Sequence, residues 1–319
     1  MVPFMSFLEL AAGLVLLVLG GDMLVRGAVG LARRLGVSPL LIGLTLVGFG
    51  TSMPELVTSV EAALVGSPGI AVGNVVGSNI ANILLILGLA ALIRPVQASL
   101  NSLRRDGVVM TIAAIACAAV VLYGEMSRLV GVGLIAGLIV YLIVAYRAER
   151  TVPGLAAEVD LPAPAPLRSE RLWVAGPLFL GGLALTVFGA KMLVAAAIDL
   201  AQLAGVSEAT IGLTVVAVGT SLPELVTSVV AAIRRQGDVA LGNILGSNIY
   251  NIFGILGVTA ILQPIAVPEV IAAFDIWAML AATVAMMVMA VTGLRVNRFE
   301  GGALLAGYMA YIGLVVIQT

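Results

Sequence analysis

The chain has 319 residues, of which 61% are hydrophobic and 10% charged, far below the roughly 25% charged residues of a soluble domain. With no histidine and one cysteine, Ser-His catalysis, histidine zinc sites, histidine proton relays, disulfide frameworks and thiolate metal clusters are excluded. A formal net charge of -1 says little by itself, because in so apolar a chain the placement of the charges carries the information.

Apolar runs near 20 residues recur throughout, as expected of an all-α membrane protein. Ten spans are predicted, near 5–32, 38–65, 69–93, 107–124, 129–147, 172–203, 207–233, 238–262, 270–292 and 300–317. Residues 1–6 lack a basic stretch and lead into a full-length span, so they read as the start of a first helix and not as a cleaved signal. Between the two groups of five lies a linker, 148–171, with Pro153, Pro162, Pro164, Pro166 and four acids. It is expected to be partly extended and is too short for a folded regulatory domain.

The two groups repeat one another. An offset of 169 residues maps Gly36-Val37-Ser38 onto Gly205-Val206-Ser207, and about 31 of the 54 positions in 42–95 are identical without a gap. Units 1–147 and 172–319 each hold an odd number of spans, so the second enters from the opposite side and the repeats are inverted, as in many secondary transporters. If the N-terminus is outside, thirteen arginines fall in cytoplasmic connections and only Arg128 in an external one, a strong positive-inside bias. The expected location is therefore a cell (inner) membrane, with both termini outside and the linker cytoplasmic.

Within each unit a polar constellation interrupts the apolar pattern, over 48–82 and 217–251. Gly50-Thr51-Ser52-Met53-Pro54-Glu55 returns as Gly219-Thr220-Ser221-Leu222-Pro223-Glu224. A carboxylate at mid-membrane costs roughly 2.5–3.5 kcal/mol on insertion scales and is normally retained for function. The preceding proline lacks an N–H and is expected to break the helix there. Next comes Gly73-Asn74-Val75-Val76-Gly77-Ser78-Asn79-Ile80-Ala81-Asn82, repeated from Gly242 to Asn251. Asn74, Ser78 and Asn82 share one helix face, and Gly73 with Gly77 is expected to admit a close neighbouring helix. Two carboxylates with hydroxyl, amide and carbonyl oxygens form a hard, all-oxygen set that suits calcium or sodium.

The paired motifs resemble the alpha repeats of the calcium/cation antiporter superfamily, most of all prokaryotic sodium/calcium exchangers. That resemblance implies ten helices in two inverted fives with broken helices at the midplane. It implies ion ligands at Thr51, Ser52, Glu55, Ser78 and Asn82, at Thr220, Ser221, Glu224, Ser247 and Asn251, and at backbone carbonyls near Gly48 and Ala217. The activity implied is sodium-coupled calcium antiport by alternating access, with calcium and sodium as transported ions and no cofactor. The alternative is proton-coupled exchange through the same two glutamates. Archaeal and potassium-dependent relatives often carry Asp where this chain has Asn251, which leaves two carboxylates to balance charge. No nucleic-acid partner is expected; the lipid bilayer is, and a monomer is expected to suffice for transport.

Other polar residues have plainer readings. Ser52-x-x-Glu55 and Ser221-x-x-Glu224 also fit capping boxes. Asn74 and Asn243 fit either structural hydrogen bonding or ligation. Thr58, Ser59, Thr227 and Ser228 read as packing or pathway residues, and Asp22 and Lys191 as structural or interfacial. Asp106 and Asp275 fall at predicted helix starts, where an acid suits the dipole. Cys117 reads as a small packing residue, and Met279, Met286, Met287 and Met289 as lipid-facing or core-filling.

Overall fold

A computed structural model describes residues 2–150, 172–203 and 217–318. The linker from residue 151 onward and the first part of the seventh predicted span lie outside the described residues. What is described is helical: α1 (Val2–Leu35), α2 (Pro39–Thr51), α3 (Met53–Leu64), α4 (Pro68–Ile93), α5 (Leu100–Tyr123) and α6 (Arg128–Arg150). Then follow α7 (Leu172–Leu203), α8 (Ala217–Thr220), α9 (Leu222–Ile233), α10 (Gly237–Leu262), α11 (Ile271–Gly293) and α12 (Arg298–Gln318).

Among the described residues seven helices are long and apolar enough to cross a membrane, or eight if the bent pair α2 and α3 is one span. The chain is thus an all-helical, multi-pass membrane protein. In lipid a helix satisfies its own backbone groups, and α4 and α10, the most deeply buried of these spans, sit at the centre of the bundle.

The second predicted span is broken as its proline requires. α2 and α3 meet at Ser52 with a bend of 43°. The predicted start of the fourth span is corrected: α5 begins at Leu100, because Ser99 Oγ accepts the Ser102 N–H at 3.1 Å and caps it. Arg104, Arg105 and Asp106 are carried inside that helix on a π-helical turn, Leu103–Gly107. Asp106 is therefore no helix-start acid. It is fully buried, paired with Arg105 Nε at 2.8 Å and hydrogen-bonded by the Tyr141 hydroxyl at 3.2 Å. Asp275 likewise lies on a π-helical turn inside its helix and accepts from the Tyr311 hydroxyl at 2.8 Å. A carboxylate buried beside apolar helices needs a donor more than it needs a dipole.

Contacts between the two halves come in exchanged pairs. Strand β1 (Val96–Gln97) pairs with β4 (Arg295–Val296), and β2 (Glu125–Met126) pairs with β3 (Ile265–Ala266), both antiparallel. At the 169-residue offset β1 corresponds to β3 and, within a residue, β2 to β4, so each pair maps onto the other. Gly88 meets Gly301, and Gly131 meets Gly257, in the same exchanged way.

The longest inter-half contact is the antiparallel pair α1 and α7. Gly13, Gly20 and Gly27 on α1, and Gly182 and Gly189 on α7, recur every seven residues along one seam. A Cβ at Gly20 would lie 2.6 Å from Thr186 N, one at Gly13 2.8 Å from Leu193 N, and one at Gly189 2.8 Å from Leu17 N. Small residues let helix backbones touch where lipid offers no hydrophobic drive between helices. Asp22 on α1 pairs with Arg26 at 2.9 Å and with Arg234 at the end of α9, while Lys191 is exposed.

Met279 and Met286 are core residues, with Met287 and Met289 partly buried against the same core, and Cys117 is buried and free. Gly242 and Gly246 admit the backbone of α2 at Leu40 and Leu44. Residues 209–213, the counterparts of that segment at the 169 offset, lie outside the described residues, so the expected close neighbour of Gly73 and Gly77 does too.

Gly20→Val forces the α1–α7 seam apart and is expected to lower the midpoint of thermal unfolding in detergent by several degrees. Overpacking costs of about 1–3 kcal/mol support that size. Gly176→Ala, on the partner helix α7 with nothing within 4 Å of its Cβ, is expected to leave the midpoint unchanged.

Candidate functional site

The break at Ser52 brings Thr51, Ser52 and Glu55 to the junction of α2 and α3, and the corresponding break at Ser221 does the same for Thr220, Ser221 and Glu224 between α8 and α9. Ser52 and Ser221 stand at N-cap positions, yet neither side chain caps its own helix. Each hydroxyl reaches across instead. Ser52 Oγ donates to Glu224 Oε1 at 2.9 Å, and Ser221 Oγ donates to Glu55 Oε1 at 3.0 Å. The capping-box reading is thereby corrected: neither hydroxyl accepts a backbone N–H of its own helix, and each instead donates to a buried carboxylate of the opposite half, a bond stronger than a neutral cap when the acid is ionised.

The Ser/Asn stripe on α4 and α10 closes around these pairs. Ser78 Oγ lies 3.3 Å from Ser221 Oγ. Asn74 Nδ2 donates to the Glu55 carbonyl at 3.1 Å and to Ser59 Oγ at 2.9 Å. Asn243 Nδ2 donates to the Glu224 carbonyl at 3.3 Å and to Ser228 Oγ at 2.9 Å. Both asparagines thus hold the backbone of a glutamate on a neighbouring helix, which is the structural reading of these residues. Ser59 and Ser228 serve as their anchors.

Thr51 Oγ1 has three acceptors for its one hydrogen: Val47 O at 3.0 Å, Asn243 Oδ1 at 3.2 Å and Gly48 O at 3.4 Å. Thr220 Oγ1 faces Asn74 Oδ1 at 3.4 Å. The Gly48 carbonyl also accepts the Ser52 N–H at 3.1 Å, so it is engaged in the helix as well as turned toward Thr51. Gly48 has no side chain to obstruct the backbone of Ser247, whose nitrogen would be 3.2 Å from a Cβ there. Ala217 opens the described part of α8.

Acceptors outnumber donors here. Glu55 Oε2, Glu224 Oε2, Asn82 Oδ1, Asn251 Oδ1 and Ser247 Oγ are all buried and have no hydrogen-bond partner. Asn82 begins one π-helical turn, Asn82–Leu87, and Asn251 lies in another, Tyr250–Leu256; such turns re-aim side chains and recur at functional sites. A buried polar oxygen without a donor is costly, and a cation relieves several at once. Among the described residues no group of three or more His, Cys, Asp or Glu side chains could hold a metal ion. The two carboxylates with amide and hydroxyl oxygens form a hard donor set that fits calcium or sodium.

Two residues escaped the motif reading. Asn79 and Asn248 donate to the carbonyls of Val75 and Ile244, each at 2.7 Å, and keep their Oδ1 atoms buried without a partner. Their signal in the sequence is their place inside the stripe, but they fall off the face shared by Asn74, Ser78 and Asn82. The site is also unevenly covered: Thr51 and Asn243 are buried, whereas Thr220 and Asn74 are half-buried.

Known proteins resemble this chain in sequence and fold. The family model described as sodium/calcium exchanger protein matches twice, over residues 5–147 and 175–317. The sodium/calcium exchanger MaX1 of Methanosarcina acetivorans is 38% identical over 340 residues, covering 96% of this chain and 97% of its own. The inner membrane protein YrbG of Escherichia coli is 40% identical over 264 residues, covering 80% and 79%. The solved structure of the sodium-calcium exchanger NCX_Mj, soaked with sodium and strontium, superposes with a TM-score of 0.84 at 34% identity, covering 98% of this chain and 99% of that one.

Asn243→Ala leaves the Glu224 carbonyl and Ser228 without this donor and is expected to cost about 1–3 kcal/mol. Asn74→Ala, at a half-buried position, is expected to cost less. Thermal unfolding of both variants in detergent measures the difference, and equal losses would contradict the unequal cover of the two sides.

Proposed function

We propose that this chain, which belongs to the sodium/calcium exchanger family, exchanges sodium for calcium by alternating access at the crossed Ser–Glu site. The observation that carries the reading is the pair of hydrogen bonds Ser52–Glu224 and Ser221–Glu55. Each half supplies one acid and the donor for the other half's acid, so the ligand set belongs to neither half alone. Thr51, Ser52, Glu55, Ser78, Asn82 and Gly48, with Thr220, Ser221, Glu224, Ser247, Asn251 and Ala217, are the proposed ion ligands.

The charge of the site suits the family's ions, with three sodium ions per calcium being what the family resemblance implies. Two carboxylates are neutralised by one calcium ion, whereas three sodium ions in overlapping subsites leave a net +1. Occupancy by one species then excludes the other. A cycle that moves one net charge is worth about 2.3 kcal/mol per 100 mV of membrane potential. With Asn at 251, no third acid enters this count.

Ten spans in two inverted units, 1–147 and 172–319, are the architecture this mechanism needs. The twofold family match supports it, as do the exchanged strand pairs. β1 and β4 lie in the third-to-fourth and ninth-to-tenth connections, both cytoplasmic in the inverted topology, while β2 and β3 lie in connections that are both external. With the N-terminus outside, Thr220 and Asn74 lie on the external side of the glutamates, so their partial exposure fits an outward-leaning state. The α1–α7 pair, joined along its glycine seam, is the natural unit to move. The multi-pass protein is assigned to the cell (inner) membrane, with both termini outside.

Calcium uptake into vesicles holding the purified protein tests the coupling. An outward sodium gradient is expected to drive uptake; uptake driven only by a pH gradient would replace sodium by protons at the same glutamates. Glu55→Gln and Glu224→Gln are each expected to abolish calcium flux, and retained flux in either removes that residue from the site.

A further inference from the structure

Away from the glutamates, the fold gathers three arginines that the transport site does not use. A cavity of about 600 Å³ is lined by Arg94, Arg295, Arg298, Gln97, Ile93 and Ile233, among others, and no acidic residue is among its lining residues. Three separate parts of the chain build it. Arg94 ends α4 in an extended conformation imposed by the following proline. Arg295 is placed by strand β4, where it stands directly across from Gln97. Leu294 before it adopts a left-handed conformation, φ 48°, that turns the chain out of α11. Arg298 opens α12 and donates from Nη2 to the Ile93 carbonyl at 3.2 Å.

Like charges converge here without internal compensation. Among the described residues none of the three arginines has a carboxylate within 4 Å, in contrast to Arg26, Arg105 and Arg234, which do. The end of α9 that forms the far wall adds no stray negative end either. The Arg235 N–H closes on the Ala232 carbonyl at 3.2 Å and the Gln236 N–H on the Ala231 carbonyl at 2.8 Å. Beside the guanidinium groups, Ile233 is 61% exposed, and Phe299, next to Arg298, is 93% exposed. Guanidinium forks match phosphate oxygens, and exposed apolar side chains beside them match the acyl chains below a headgroup.

We propose that this cavity binds a phosphate-bearing anion, with the headgroup of an anionic phospholipid seated on Arg94, Arg295 and Arg298 and its acyl chains lying over Ile233 and Phe299. Basic pockets between membrane helices on the cytoplasmic side are suited to such headgroups. Assigning the site to the cytoplasmic leaflet rests on the orientation proposed above; the site itself does not.

Unfolding of the full-length protein in detergent, with phosphatidylglycerol, phosphatidylcholine or inorganic phosphate added, tests the site. Phosphatidylglycerol is expected to raise the unfolding midpoint and phosphatidylcholine to leave it unchanged. Arg94→Gln/Arg295→Gln removes two charges that make no hydrogen bond to the described residues, so folding and calcium flux in neutral vesicles are expected to persist. Each arginine near a membrane surface contributes about fivefold to binding an anionic headgroup, so the double variant is expected to need roughly 25-fold more phosphatidylglycerol for the same shift. A shift with inorganic phosphate that is lost in the double variant supports the same site with a soluble phosphate as its ligand. An unchanged phosphatidylglycerol response in the double variant, or an equal response to phosphatidylcholine, overturns the proposal.

Discussion

Two glutamates buried among membrane helices impose the constraint that the rest of the structure answers. Each keeps one carboxylate oxygen on a serine hydroxyl from the opposite half, and each leaves the other oxygen without a protein donor. A lone buried carboxylate is expensive, and one hydrogen bond does not offset that cost. The two halves must therefore interlock, because the donor that each acid uses lies in the other half. The same need explains why the surrounding asparagines spend their amide hydrogens on glutamate carbonyls and anchoring serines. Their oxygens are left to face the hydroxyls of Thr51 and Thr220.

Interlocking at the centre has to be matched at the edges. Glycine-on-glycine contacts join α4 to α12 and α6 to α10, and the seam of α1 against α7 runs through glycines seven residues apart. Two short strand pairs tie connections of one half to connections of the other. When the halves are swapped, the glycine contacts and the strand pairs exchange with one another, and the α1–α7 seam maps onto itself. Departures from that exchange are where the two sides of the protein differ. Asp22 is held by Arg26 and Arg234, whereas its counterpart Lys191 is exposed. Asn243 is fully covered and Asn74 is not, and the arginine cavity has Gln263 in place of Arg94 on the other side.

Much of this was legible in the sequence because it is local or repeated. Apolar runs of membrane length announce helices, a proline before a buried acid announces a break, and a gapless offset announces two related units. Readings that depended on a partner fared less well. Ser52 and Ser221 have the spacing of capping residues and stand at N-cap positions, but their hydroxyls donate to carboxylates 172 and 166 residues away and accept no N–H of their own helices. Asp106 looked like a helix-start acid because two arginines beside it resembled a connection. A cap at Ser99 and a π-helical turn drew all three into the helix, where Arg105 and Tyr141 satisfy the carboxylate. Asn79 and Asn248 lie within the repeated stretch but drew no role, because helical periodicity places them off the face shared by Asn74, Ser78 and Asn82.

By itself the sequence determined the class of protein, the family, the helical breaks and the identity of the two acids. Those properties follow from hydropathy, backbone chemistry and a repeated motif, all of which act over a few residues or along one helix face. Only the tertiary structure decided which serine serves which glutamate, that Asn74 and Asn243 brace glutamate backbones, and that Arg94, Arg295 and Arg298 share one cavity. These are pairings between helices far apart in the chain. A hydrogen bond or a cavity wall depends on distance in space, which spacing along the sequence does not specify.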